Sequence, residues 1–154
     1  MTLVEVIKMM EIVASQQPSV NMIVENDVFR LNEKADARYG VFAWTQGQHS
    51  TGNEAGYFNY SFTIFYVDRL KNDLSNQIEI QSVGIQTLNN IIRALEDKDV
   101  CTEQFYTFTV FNQRFSDECA GVFCNVTFLV PVDGNCAELF ADFNDDFDED
   151  FLIY

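Results

Sequence analysis

The sequence predicts an α+β fold: a mostly antiparallel sheet, made of two long hairpins, packed by two helices. Three observations predict it. Residues 3–15 and 74–96 repeat their apolar side chains at helical spacing. Residues 37–49, 56–70, 103–115 and 119–133 carry the alternation and aromatic content of strands. Turn-rich stretches at 50–54 and 116–118 join those strands in pairs.

The first element is LVEVIKMMEIVAS, residues 3–15, with Leu3, Val6, Ile7, Met10, Val13 and Ala14 on one stripe. Thr2 is its predicted N-cap, and Glu5 three residues on completes a capping box. Gln17-Pro18 stops it, because the residue before proline is pushed out of the α region. Asp27–Leu31 reads as a short strand. Ala37–His49 is a long aromatic strand, paired across the 50–54 turn with Gly56–Leu70. In the latter, Tyr57, Asn59, Ser61 and Thr63 alternate with Phe58, Tyr60, Phe62 and Ile64. Over 74–96 the period changes: Leu74, Ile78, Ile85, Leu88, Ile92 and Leu95 recur at helical spacing. Asn76 and Glu79 offer a second capping box. Gly84 costs about 1 kcal/mol inside a helix; close approach to a sheet would explain it, as would chance. The strand period then returns in EQFYTFTVFNQRF and CAGVFCNVTFLVPVD. Pro131 lacks an N–H and marks an edge or strand end.

The chain divides into one α+β domain, 1–136, and an acidic-aromatic C-terminal arm, 137–154. Its 154 residues suffice for a single core, and 47% apolar content excludes a disordered chain. No apolar run approaches the ~20 residues of a membrane span. The N-terminal MTLVEVIKMMEIV carries Glu5, Lys8 and Glu11, unlike a secretory signal, so the expectation is an intracellular product. A net charge of -15 argues against phosphate-backbone binding, which needs clustered Lys and Arg.

No catalytic, cofactor or metal site is expected. Cys101, Cys119, Cys124 and Cys136 form no C-x-x-C pair, and His49 is the only histidine, which argues against zinc. Free thiols are the default without export, with an oxidised pair among Cys119, Cys124 and Cys136 left open. The acidic tail has hard oxygen ligands but lacks a glycine-bearing Ca²⁺ loop. A small hydrolase using His49 or a cysteine is the enzymatic alternative; a surface histidine is the plainer reading.

Two features point to contacts between chains. In YVDRL, residues 66–70, the adjacent Asp68 and Arg69 point to opposite faces. Either each is satisfied locally, Asp68 for instance by Asn72, or each reaches a partner subunit in a bidentate pair. The second feature is the ending, DFNDDFDEDFLIY. Phe140, Phe143, Phe147, Phe151 and Tyr154 fall on one helical stripe, but the many Asp residues oppose a helix that stands alone. The expected role is a partner-docking arm carrying Phe143, Phe147, Phe151, Leu152, Ile153 and Tyr154. Strand addition to a neighbour's sheet edge and a solubilising tail are the alternatives.

The runs DVFRLNEKADARYGVFAWTQGQH, FTIFYVDRLKNDLSNQIEIQSVGIQTLNNII and FNQRFSDECAGVFCNVTF resemble ring proteins of the head–tail junction of crAss-like bacteriophages, similar in fold to tail terminators. The resemblance covers roughly residues 1–135 and is most specific in YVDRL, SN and the following amphipathic helix. It implies a virion structural protein: a homo-oligomeric ring stacked against portal-side or tail-side ring proteins and assembled in the host cytoplasm. DNA would pass through it without sequence-specific binding, and an acidic channel would let the duplex slide. The aromatic hairpin with Trp44, Tyr57 and Tyr60, together with Asp68 and Arg69, would form the subunit interface. The rival of the same size and charge is a non-virion tail assembly factor or chaperone.

Overall fold

In the computed structural model, residues 1–33, 38–51, 56–98, 100–102, 105–112, 118–131 and 152–153 are described. The fold is α+β, with a mixed, mainly antiparallel sheet carrying two helices. Helix α1 spans Leu3–Ser15, and the Thr2/Glu5 capping box forms, with Glu5 N–H donating to Thr2 Oγ1 at 3.3 Å. Strand β1 is Met22–Val24. A 3₁₀ turn occupies Val28–Glu33 where a strand was expected. The reason is local: Asn26 takes a positive φ of 62°, and Asp27 Oδ1 accepts the Phe29 N–H at 2.9 Å, which favours a turn over an extended run.

Strand β2, Val41–Gln46, is shorter than the 37–49 run suggested. It is followed by β3, Ser50–Thr51, and β4, Tyr57–Arg69. Helix α2 spans Gln77–Glu96. Strands β5 (Cys101–Thr102), β6 (Phe108–Asn112) and β7 (Cys119–Pro131) follow, and β8 is Leu152–Ile153. The main sheet order is β5-β7-β4-β2-β1-β8, with β3 on β4 and β6 on β7. Its axis is the antiparallel β4–β7 ladder, in register from Tyr57↔Pro131 to Arg69↔Cys119. Strand β1 runs parallel to both β2 and β8.

Both helices cover one face of the sheet. Phe42, Trp44, Phe62, Ile64, Tyr66, Val122, Cys124, Val126 and Phe128 meet Val6, Met10 and Val13 of α1 and Leu88, Ile91 and Leu95 of α2 in one core. Gly84 is where α2 comes closest: a Cβ there would lie 2.9 Å from Tyr66 Cδ1 and 2.9 Å from Val122 Cγ2. The predicted α2 stripe is only partly right. Ile80, Leu88, Ile91, Ile92 and Leu95 are buried, but Ile78 is 79% exposed and Ile85 also faces outward. The buried face is centred on Gly84 and Leu88, which turns Ile78 and Ile85 away from the sheet.

The far face has two halves. At one end Met22, Val24, Val28, Leu31, Val41, Ala43, Val67, Phe111 and Cys119 form a second, smaller core beneath the 3₁₀ turn. At the other end the far-face residues of β2, β4 and β7 are Thr45, Asn59, Ser61, Thr63, Asn125 and Thr127, flanked by Tyr57, Leu129 and Pro131. All of these are partly or fully exposed, and none carries a charge at neutral pH.

Candidate assembly surface

The open half of the far face follows from strand alternation. On β4 the even-numbered residues from Tyr60 to Tyr66 fill the main core, and the odd ones take the far face, exposed from Tyr57 to Thr63 and packed into the smaller core at Phe65 and Val67. Cross-strand partners then knit the outer surface: Ser61 Oγ and Thr127 Oγ1 lie 3.0 Å apart, and Thr63 Oγ1 donates to Asn125 Oδ1 at 2.7 Å. The result is a sheet surface of hydroxyls and amides without charge, in a chain carrying 24 acidic and 9 basic residues. A surface of this kind is rigid and hydrogen-bonding, and it does not repel a like-charged neighbour.

His49 sits beside this surface and is fully engaged. Its Nδ1 accepts the Ser61 N–H at 3.2 Å, which leaves the proton on Nε2, 3.0 Å from Gln46 Oε1. Gly47 N–H meanwhile donates to Ser61 O at 2.7 Å. The imidazole thus replaces a backbone acceptor where the β2–β4 ladder ends, and both ring nitrogens are engaged in hydrogen bonds. Its ring packs edge-on to Tyr60 at 5.5 Å. Burial pushes the Cys124 thiol up to about 11, so the reactive thiolate is scarce there. No cluster of three His, Cys, Asp or Glu able to hold a metal occurs among the described residues.

Asp68 and Arg69 are placed locally. Asp68 Oδ1 accepts the Arg69 N–H at 2.7 Å, and Oδ2 lies 3.5 Å from the Tyr66 hydroxyl. Asn72, the suggested local partner, makes neither bond. Desolvation raises the Asp68 carboxyl, with the two hydrogen bonds opposing. Arg69 is exposed on the opposite face, its guanidinium carbon 6.0 Å from the centroid of Tyr39. Asn76 departs from the capping-box expectation. It precedes α2 without a side-chain cap bond; instead Oδ1 accepts the Lys71 N–H at 2.8 Å and Nδ2 donates to Arg69 O at 3.1 Å. The turn from β4 to α2 needs those backbone groups satisfied, and Asn76 bridges it.

The remaining predicted interface residues separate. Tyr57 is 38% exposed at the end of the far face. Trp44 and Tyr60 fall on the core side of their strands and are largely buried, at 4% and 8% exposure. Phe143, Phe147, Phe151 and Tyr154 lie outside the described residues. Leu152 and Ile153 form β8, paired with Met22 and Ile23.

One polar constellation carries no sequence motif. Trp44 Nε1 donates to Glu11 Oε1 at 3.0 Å inside the core, and Glu11 also shares a side-chain hydrogen bond with Glu25. Burial first, and the Glu25 hydrogen bond and charge second, push Glu11 up to about 8. The one available signal was Glu11 on the apolar side of α1, next to Met10 and Ile12.

No protein-family model matches the chain, and no curated protein matches it.

Proposed function

We propose that this protein is a structural subunit of a phage virion ring, at the head–tail connector, through which DNA passes. The observation that carries the reading is the uncharged half of the far sheet face in a chain of net charge -15. Copies of so acidic a protein repel one another in sum. They approach at least cost through a surface free of carboxylates, and the β4–β7 ladder supplies one that is cross-linked by its own hydrogen bonds. The resemblance of the 27–49, 62–92 and 111–128 runs to head–tail ring proteins supports the same conclusion. So does the engagement of both His49 nitrogens, which suits a structural role for the one histidine. Nine basic residues against 24 acids suit a conduit that does not grip the duplex. No helix among the described residues is long and apolar enough to cross a membrane.

The test is electron cryomicroscopy of the purified particle together with mass photometry of the isolated protein. A ring at the neck, with density matching the β4–β7 ladder, is the expected result. Absence of the protein from mature particles would favour the assembly-factor alternative.

A further inference from the structure

Strand β1 is a three-residue strand whose Met22, Ile23 and Val24 are all fully buried, although it lies next to the end of the sheet. The main core covers Ile23 and the smaller core covers Met22 and Val24, while β8 pairs the strand's outer edge, in parallel register Met22↔Leu152 and Ile23↔Ile153. An uncovered β1 would leave a row of unpaired backbone groups beside an apolar strand, a template for pairing with any extended segment. Twenty residues, 132–151, separate β7 from β8 in the chain.

Two routes bring a C-terminus to a β1 edge. Within one chain, β8 lies four strand positions from β7, about 19 Å sideways at ~4.8 Å per strand. Pro131 pairs with Tyr57, whereas Leu152 aligns through Met22 and Val41 with Val67, ten residues further along β4. That adds roughly 33 Å lengthwise at ~3.3 Å per residue. Between copies placed edge to edge, β5 of one against the β1 edge of the next, the sideways step falls to two strand positions, about 10 Å. Twenty extended residues reach up to about 70 Å, enough for either route.

We propose that the β1 edge is a strand acceptor for the C-terminus of a second copy of this chain, with Leu152–Ile153 exchanged between neighbouring subunits. The same contact is made in either connection, so the exchange adds an intersubunit link without any new surface. Acceptor edge and donor strand are different parts of the chain, so the contact is head-to-tail and propagates around a ring until it closes. This deepens the ring reading and rests on it for the oligomer.

The experiment uses chains in which Cys101→Ser and Cys136→Ser remove two native thiols. An acceptor chain adds Ile23→Cys and a donor chain of different tag mass adds Ile153→Cys; parallel partners lie within disulfide reach. The two are mixed under conditions where the intact protein is oligomeric, then oxidised. The expected product is a donor–acceptor disulfide, absent from either chain alone. An internal bond in a chain carrying both cysteines, with no donor–acceptor product from the mixed oligomer, would overturn the exchange and leave the ring reading standing. An intact protein that stays monomeric at high concentration would overturn both. Should Ile23→Cys fail to fold, a chain ending at Phe151 gives a second readout. Retained circular dichroism with at least tenfold weaker assembly is expected, and unchanged assembly refutes the proposal.

Discussion

Glu11→Gln separates the buried carboxyl from the rest of the acidic charge. In the folded protein Glu11 holds its proton up to about pH 8, whereas its ordinary value is 4.5. Unfolded chains therefore release a proton between those limits that folded chains keep, and stability falls as pH rises through the window. The slope is about 1.4 kcal/mol per pH unit, which over the whole window sets an upper bound of about 5 kcal/mol. Below pH 4.5 the contribution is fully present, and above pH 8 nothing further is lost. Glutamine keeps an Oε1 acceptor for the Trp44 Nε1–H and does not titrate. The variant should lie within about 1 kcal/mol of the parent at pH 5 and exceed it by several kcal/mol at pH 8, measured by urea unfolding. Trp44 is the only tryptophan, so its fluorescence reports the same site. Parallel stability curves for the two proteins across pH 5–8 would refute the reasoning. Glu11→Ala is the contrasting case: it orphans the buried indole N–H and should cost about 1–3 kcal/mol at pH 5.

Gly84→Ala gains helix propensity but drives a methyl into Tyr66 and Val122; a net loss of about 1–3 kcal/mol in urea unfolding is expected. His49→Ala removes the acceptor of the Ser61 N–H and should lower stability by about 1–2 kcal/mol, with faster hydrogen exchange at Ser61. Asn76→Ala unties the turn between β4 and α2, and should cost about 1–2 kcal/mol and speed exchange of the Lys71 amide. In the native protein iodoacetamide should label exposed Cys101 and spare Cys124 until denaturant is added, as peptide mass spectrometry will read.

Much of the fold was legible in local pattern. The Thr2/Glu5 box, the period-two alternation of 57–69 and 119–131 and the helical period of 77–96 each follow from contacts within a few residues, so the linear order of side chains sufficed. Gly84 was legible as a question, and the sheet beneath it supplied the answer. Strand β1 was not legible: three residues carry no period, and only their neighbours β2 and β8 make them a strand. The run 27–31 misled because turn hydrogen bonds from Asp27 outweighed its strand-like composition.

The candidate site divides the same way. Alternation on β4 told which residues share a face, and composition told that the chain is acidic. It took the β4–β7 register to bring Ser61, Thr63, Asn125 and Thr127 together as one uncharged surface, because Ser61 and Thr127 are 66 positions apart. Trp44 and Tyr60 read as interface aromatics, and packing turned them inward. Sequence by itself determined the periods, the caps and the charge, which depend on near neighbours. The tertiary structure alone decided which carboxyl lost its water, which imidazole replaced a backbone acceptor and which strand edge the last residues cover, since each depends on groups that only folding brings within a few ångströms.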